Sequence, residues 1–67
     1  MIKLTRLNNR EITVNADQVE FLESTPETIV SMATGRKVVV KEPVEEVVRR
    51  IVEYRARVLP VVRATAN

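Results

Sequence analysis

The sequence predicts an α+β, mainly β domain: a five-stranded antiparallel meander, arranged as a sheet or a partly closed barrel, followed by one C-terminal amphipathic helix. Three observations predict it. Residues 1–42 contain short segments in which apolar and polar side chains alternate, as in half-buried strands. Turn formers break these segments at short intervals, at Asn8-Asn9, Asn15-Ala16-Asp17-Gln18, Thr25-Pro26-Glu27 and Thr34-Gly35. After Pro43 the apolar period becomes that of a helix.

Residues 1–7 and 10–15 form the first two expected strands, and Asn8-Asn9 supplies the positive φ that a two-residue hairpin turn requires. The Asn15–Gln18 turn leads into a third strand over 19–24. Residues 28–33 and 36–41 give the fourth and fifth, separated by Thr34 and the chain's single glycine, Gly35. From Pro43, the residues Val44, Val47, Val48, Ile51, Val52, Tyr54, Val58 and Leu59 share one helical stripe. Pro43 suits a first helical turn, and Glu45 and Glu46 suit the positive end of the helix dipole. The Glu45/Arg49, Glu46/Arg50 and Glu53/Arg57 spacings predict ion pairs along the exposed side. Pro60 is expected to end the helix near Leu59, which makes residues 1–59 one domain and 60–67 a flexible tail.

The 67 residues include no cysteine and no histidine. That composition removes disulfides, thiolate nucleophiles, the usual zinc sites and imidazole acid–base chemistry. Ser24 and Ser31 have no histidine to activate them, and the carboxylates Asp17, Glu20, Glu23 and Glu27 are explained by a solvated face. The expectation is a protein that is not an enzyme, with no catalytic residue, metal or cofactor. No stretch has the length and apolarity of a membrane span, and residues 1–6 lack the continuous apolar run that directs export, so the expected location is cytoplasmic. Net charge is +2. Residues 1–42 are neutral, with Lys3, Arg6, Arg10, Arg36, Lys37 and Lys41 balanced by Glu11, Asp17, Glu20, Glu23, Glu27 and Glu42.

Strand parity assigns Ile2, Leu4, Ile12, Val14, Val19 and Phe21 to one sheet face, which the helix covers. The opposite parity leaves Leu7, Leu22, Val39 and, depending on register, Val30 with Met32 or Ile29 as a second apolar set, of which Leu7, Leu22, Val30, Met32 and Val39 are the candidates taken forward. Each such side chain is worth roughly 1.5–3 kcal/mol when buried, so this set is the candidate self-interface of a homo-oligomer. A curled barrel that buries both sets within one chain is the alternative.

Leu4-Thr5-Arg6 and the order of elements resemble the carbon-storage-regulator type of RNA-binding protein, which would imply a small post-transcriptional regulator. The neutral strand region and the presence of only Phe21 and Tyr54 as stacking surfaces argue against nucleic acid. A longer set of segments carries a different resemblance: Met1-Ile2-Lys3-Leu4-Thr5-Arg6-Leu7-Asn8, Val14-Asn15-Ala16-Asp17, Ile29-Val30, Thr34-Gly35-Arg36-Lys37, and Val39-Val40-Lys41-Glu42 with Val44-Glu45-Glu46-Val47. In order and spacing these segments, spread over residues 1–55, resemble the FlbD family of small flagellar proteins. The chain departs from the family pattern at Asn9, where Asn-Gly is expected, and at Pro43, where a serine would form a capping box with Glu46. The resemblance implies a non-enzymatic accessory of bacterial flagellar motility that supports swarming and motor power. It also implies a location peripheral to the motor, with a motor or stator component as partner. Arg49, Arg50, Glu53 and Arg57 on the charged helix face are the candidate partner-binding residues.

Overall fold

The computed structural model describes residues 1–66, with side chains through Val58. Its elements are β1 (Ile2–Thr5), β2 (Glu11–Val14), β3 (Val19–Glu23), β4 (Thr28–Met32), β5 (Lys37–Val40) and α1 (Val44–Ala66), with a 3₁₀ turn at Ala16–Gln18. All strand pairs are antiparallel, but the meander is divided into two sheets, β1–β2 and β3–β4–β5. The 3₁₀ turn carries the chain from one sheet to the other, capped by the Asn15 side chain, whose Oδ1 accepts the Asp17 N–H at 3.0 Å. β1 then meets β5: Arg6 and Val40 form an isolated antiparallel bridge, and the Lys41 N–H donates to the Thr5 carbonyl at 2.8 Å. The result is two linked sheets and not a closed barrel.

The two tight hairpins use the same connection. In the first, the Arg6 N–H donates to the Arg10 carbonyl and the Asn9 N–H to the Arg6 carbonyl; in the second, Met32 pairs with Arg36 and Gly35 with Met32 in the same way. Each therefore has a three-residue loop whose last residue is left-handed, Asn9 at φ 68° and Gly35 at φ 92°. The two-residue turn expected at Asn8-Asn9 is corrected to Leu7-Asn8-Asn9, with Asn9 in the place where glycine is expected.

Ile2, Leu4, Val14, Ala16, Val30, Val38, Val40 and Val47 form the core, with Ile12, Val19, Leu22, Met32, Ile51 and Tyr54 packed against it. This composition corrects the sequence parity. Val30 is a fully buried core residue, and Leu22 and Met32, half-buried, pack against that core, so these three members of the expected self-interface face the interior. Phe21, expected inside, is 61% exposed. The cause is a register shift between Val19 and Phe21, which inserts one residue into β3 and reverses the parity of the residues beyond it. Leu7 sits exposed in the first turn, and Val39 is half-buried on the outer sheet face opposite Ile29.

α1 begins where the Glu46 and Val47 N–H groups reach back to the Pro43 carbonyl. Val47 is its fully buried anchor, whereas Val48, Val52 and Val58 are exposed, so the expected eight-residue stripe is only partly core. The helix also runs through Pro60 to Ala66, correcting the expected stop at Leu59. Proline removes the amide that would pair with the Ala56 carbonyl but keeps a helical φ, and the backbone continues. The last residue of the expected tail, Asn67, lies outside the described residues.

Candidate interaction surface on the helix

Acidic and basic residues three and four apart on α1 meet side by side, because 3.6 residues make a turn. Arg49 forks onto Glu46, Nε to Oε1 at 2.9 Å and Nη2 to Oε2 at 2.7 Å, and extends Nη1 to Glu53 Oε2 at 2.8 Å. Arg57 Nη2 closes the ladder on Glu53 Oε1 at 2.8 Å. The expected Glu46–Arg50 and Glu53–Arg57 pairs form, while Arg49 turns to Glu46 and Glu53 instead of to Glu45. Hydrogen bonds from Arg49 and then Arg50 hold the Glu46 carboxyl down to about 2, and Glu46 in turn raises the Arg49 guanidinium. Solvent screens exposed pairs of this kind, so they contribute little to stability. Arg49, Glu53 and Arg57 keep 60%, 49% and 75% of their side-chain surfaces open and present an ordered charged face.

Arg50 does something different. Its Nη1 donates to the Lys3 carbonyl at 2.6 Å and to Glu42 Oε2 at 3.2 Å, while Nε binds Glu46. Glu42, its side chain 11% exposed, accepts the Thr5 N–H on Oε1 at 2.9 Å and the Thr5 hydroxyl on Oε2 at 2.8 Å. A carboxylate thus takes a strand amide at the junction of the two sheets. Burial pushes the Glu42 carboxyl up, but the Thr5 hydrogen bonds, its own amide and Arg50 outweigh burial and leave it below the usual range. Of the candidate partner-binding residues, then, Arg49, Glu53 and Arg57 share one open face, and Arg50 ties α1 to β1. No motif points to Glu42 or Thr5, because they are 37 positions apart.

Beside the ladder, the N-terminal residues Met1–Lys3 and the α1 side chains Arg49, Arg50, Glu53, Tyr54 and Arg57 line a groove of about 360 Å³. Its lining side chains include four cations, Lys3, Arg49, Arg50 and Arg57, against one carboxylate, Glu53. Arg49, Arg50 and Arg57 are already paired with Glu42, Glu46 and Glu53, so Lys3 is the one cationic lining side chain without an ion-pair partner among the described residues. Among the described residues no group of three or more His, Cys, Asp and Glu could hold a metal ion, and no helix is long and apolar enough to cross a membrane.

A family model, FlbD, described as flagellar and swarming motility proteins, matches residues 1–59. Neither a curated protein nor a solved structure matches the chain.

Proposed function

Since the chain belongs to the FlbD family, we propose that it is a non-enzymatic accessory of bacterial flagellar motility that acts by protein–protein contact. Its role is like that of the swarming protein SwrD: it supports swarming and the power of the flagellar motor from the cytoplasmic side. The family match over residues 1–59 carries this reading. A composition without cysteine or histidine supports an interaction module over a catalyst. The partner is a motor or stator component that presents an acidic group to Lys3, beside the paired Arg49 and Arg57 along the groove.

The test is charge reversal on the open face, Arg49→Glu with Arg57→Glu, in cells that make the protein at its normal level. Swarming rate and motor torque are expected to fall toward those of a deletion strain. If both stay at wild-type values while the deletion strain is impaired, this surface is wrong. A deletion strain with normal swarming and torque overturns the motility role itself.

A further inference from the structure

Three exposed valines of α1 belong neither to the core nor to the ion-pair ladder, and two of them, Val48 at 43% and Val52 at 59%, stand four residues apart, whereas Val58 lies six positions further on. Glu45 lies three residues before Val48 and Arg55 three after Val52, so the four occupy one seam with the 3-4-3 spacing of a helix–helix contact. Glu45 and Arg55 are both exposed, and neither has an ion-pair partner among the described residues. The seam is also symmetric about residue 50.

That symmetry selects the occupant. When a second α1 is laid antiparallel on the first, with a two-fold axis at residue 50, Val48 meets Val52 of the partner subunit and Glu45 meets Arg55 of the partner subunit. The same contacts repeat on the other side of the axis, as an isologous interface demands. A parallel pairing sets Glu45 against its own copy and Arg55 against its own copy, which like-charge repulsion disfavours. We propose that the protein self-associates through an antiparallel α1–α1 pair centred on Val48 and Val52, with the two Glu45–Arg55 contacts fixing direction and register. The occupant of this seam is a second copy of the chain. Glu53 and Arg57 stay outside the pair, so the inference stands apart from the identity of the motor partner.

The test uses the full chain in sedimentation velocity over a dilution series. Wild type is expected at twice 7.6 kDa at the concentrated end. Glu45→Arg and Arg55→Glu are each expected to raise the dimer Kd at least about tenfold, and the double swap to return it to within about threefold of wild type. A monomer throughout, an assembly indifferent to both single swaps, or a double swap without recovery overturns the proposal. Indifference would move self-association to another surface, such as the outer sheet face of Phe21, Ile29 and Val39. Circular dichroism checks that each variant keeps its helix. Cross-linking gives a second reading, clean because the chain has no cysteine. Val48→Cys mixed with Val52→Cys is expected to form the mixed disulfide dimer on mild oxidation. Cross-linking of Val48→Cys with itself in preference, or no cross-link at all, overturns the register.

Discussion

Gly35 and Asn9 occupy the same left-handed position in two turns with the same hydrogen-bond pattern, yet their substitutions differ in what they cost. At Gly35 a Cβ would meet nothing within 4 Å, so Gly35→Ala introduces only backbone strain. It is expected to destabilise by about 1 kcal/mol, a fall of about 4–8 °C in Tm by calorimetry. At Asn9 the side-chain oxygen also accepts the Lys41 ammonium, so Asn9→Gly relieves strain and loses that contact, for a net change within about 0.5 kcal/mol. Two carboxylates set the acid response. Glu42 and Glu46 titrate below their ordinary 4.5 in the folded chain, Glu46 at about 2. Across that interval the unfolded chain binds more protons. Their stabilisation is therefore complete above about pH 5 and lost as pH falls toward 2. Urea denaturation from pH 2 to pH 6 is expected to show a shallower pH slope for Glu42→Gln and Glu46→Gln than for wild type. An unchanged slope in both would locate acid sensitivity in other groups. The Glu46 share, being partly exposed, also shrinks with salt.

Among the elements, β3 is where local pattern and final structure part. Because the register shift turns Phe21 outward and Leu22 inward, Leu22→Ala is expected to cost about 2 kcal/mol and Phe21→Thr less than about 0.5 kcal/mol. The reverse order in chemical denaturation would restore the simple alternation. All five strands and the helix are legible in the sequence, since period two, turn residues and period 3.6 are local signals. One inserted residue is not legible, because Val19-Glu20-Phe21-Leu22 has the same alternation whether or not a residue is bulged. The open ladder residues Arg49, Glu53 and Arg57 could be read from their spacing. The structural role of Arg50 could not, since its partners Lys3 and Glu42 lie on other elements. The passage of α1 through Pro60 escaped for a related reason: proline disfavours a helix interior by a finite amount and does not forbid it.

At the scale of the molecule, α1 shows three directions at once: Val47, Ile51 and Tyr54 toward the core, Glu46, Arg49, Glu53 and Arg57 along the charged ladder, and Val48 with Val52 on the seam. Two neighbouring arginines therefore separate fold from contact. Arg50→Lys keeps a positive charge but cannot reproduce the fork onto Lys3, Glu42 and Glu46, and is expected to destabilise by about 1 kcal/mol. Arg57→Glu is expected to leave Tm within about 2 °C while it weakens motility. Thermal melts beside swarming assays distinguish the two, and a motility loss that tracked Tm in both variants would reduce the ladder to a stability device. The junction where Glu42 takes the Thr5 amide has a consequence in time. Each hairpin closes a short loop, whereas the junction joins residues 37 positions apart, and the anchor Val47 lies later still. The hairpins can form early and fray, and productive folding waits for the final third of the chain. During synthesis from the N-terminus, Ile2 and Leu4 leave the ribosome well before the helix that covers them, and a chain halted before Val47 leaves these side chains without that cover.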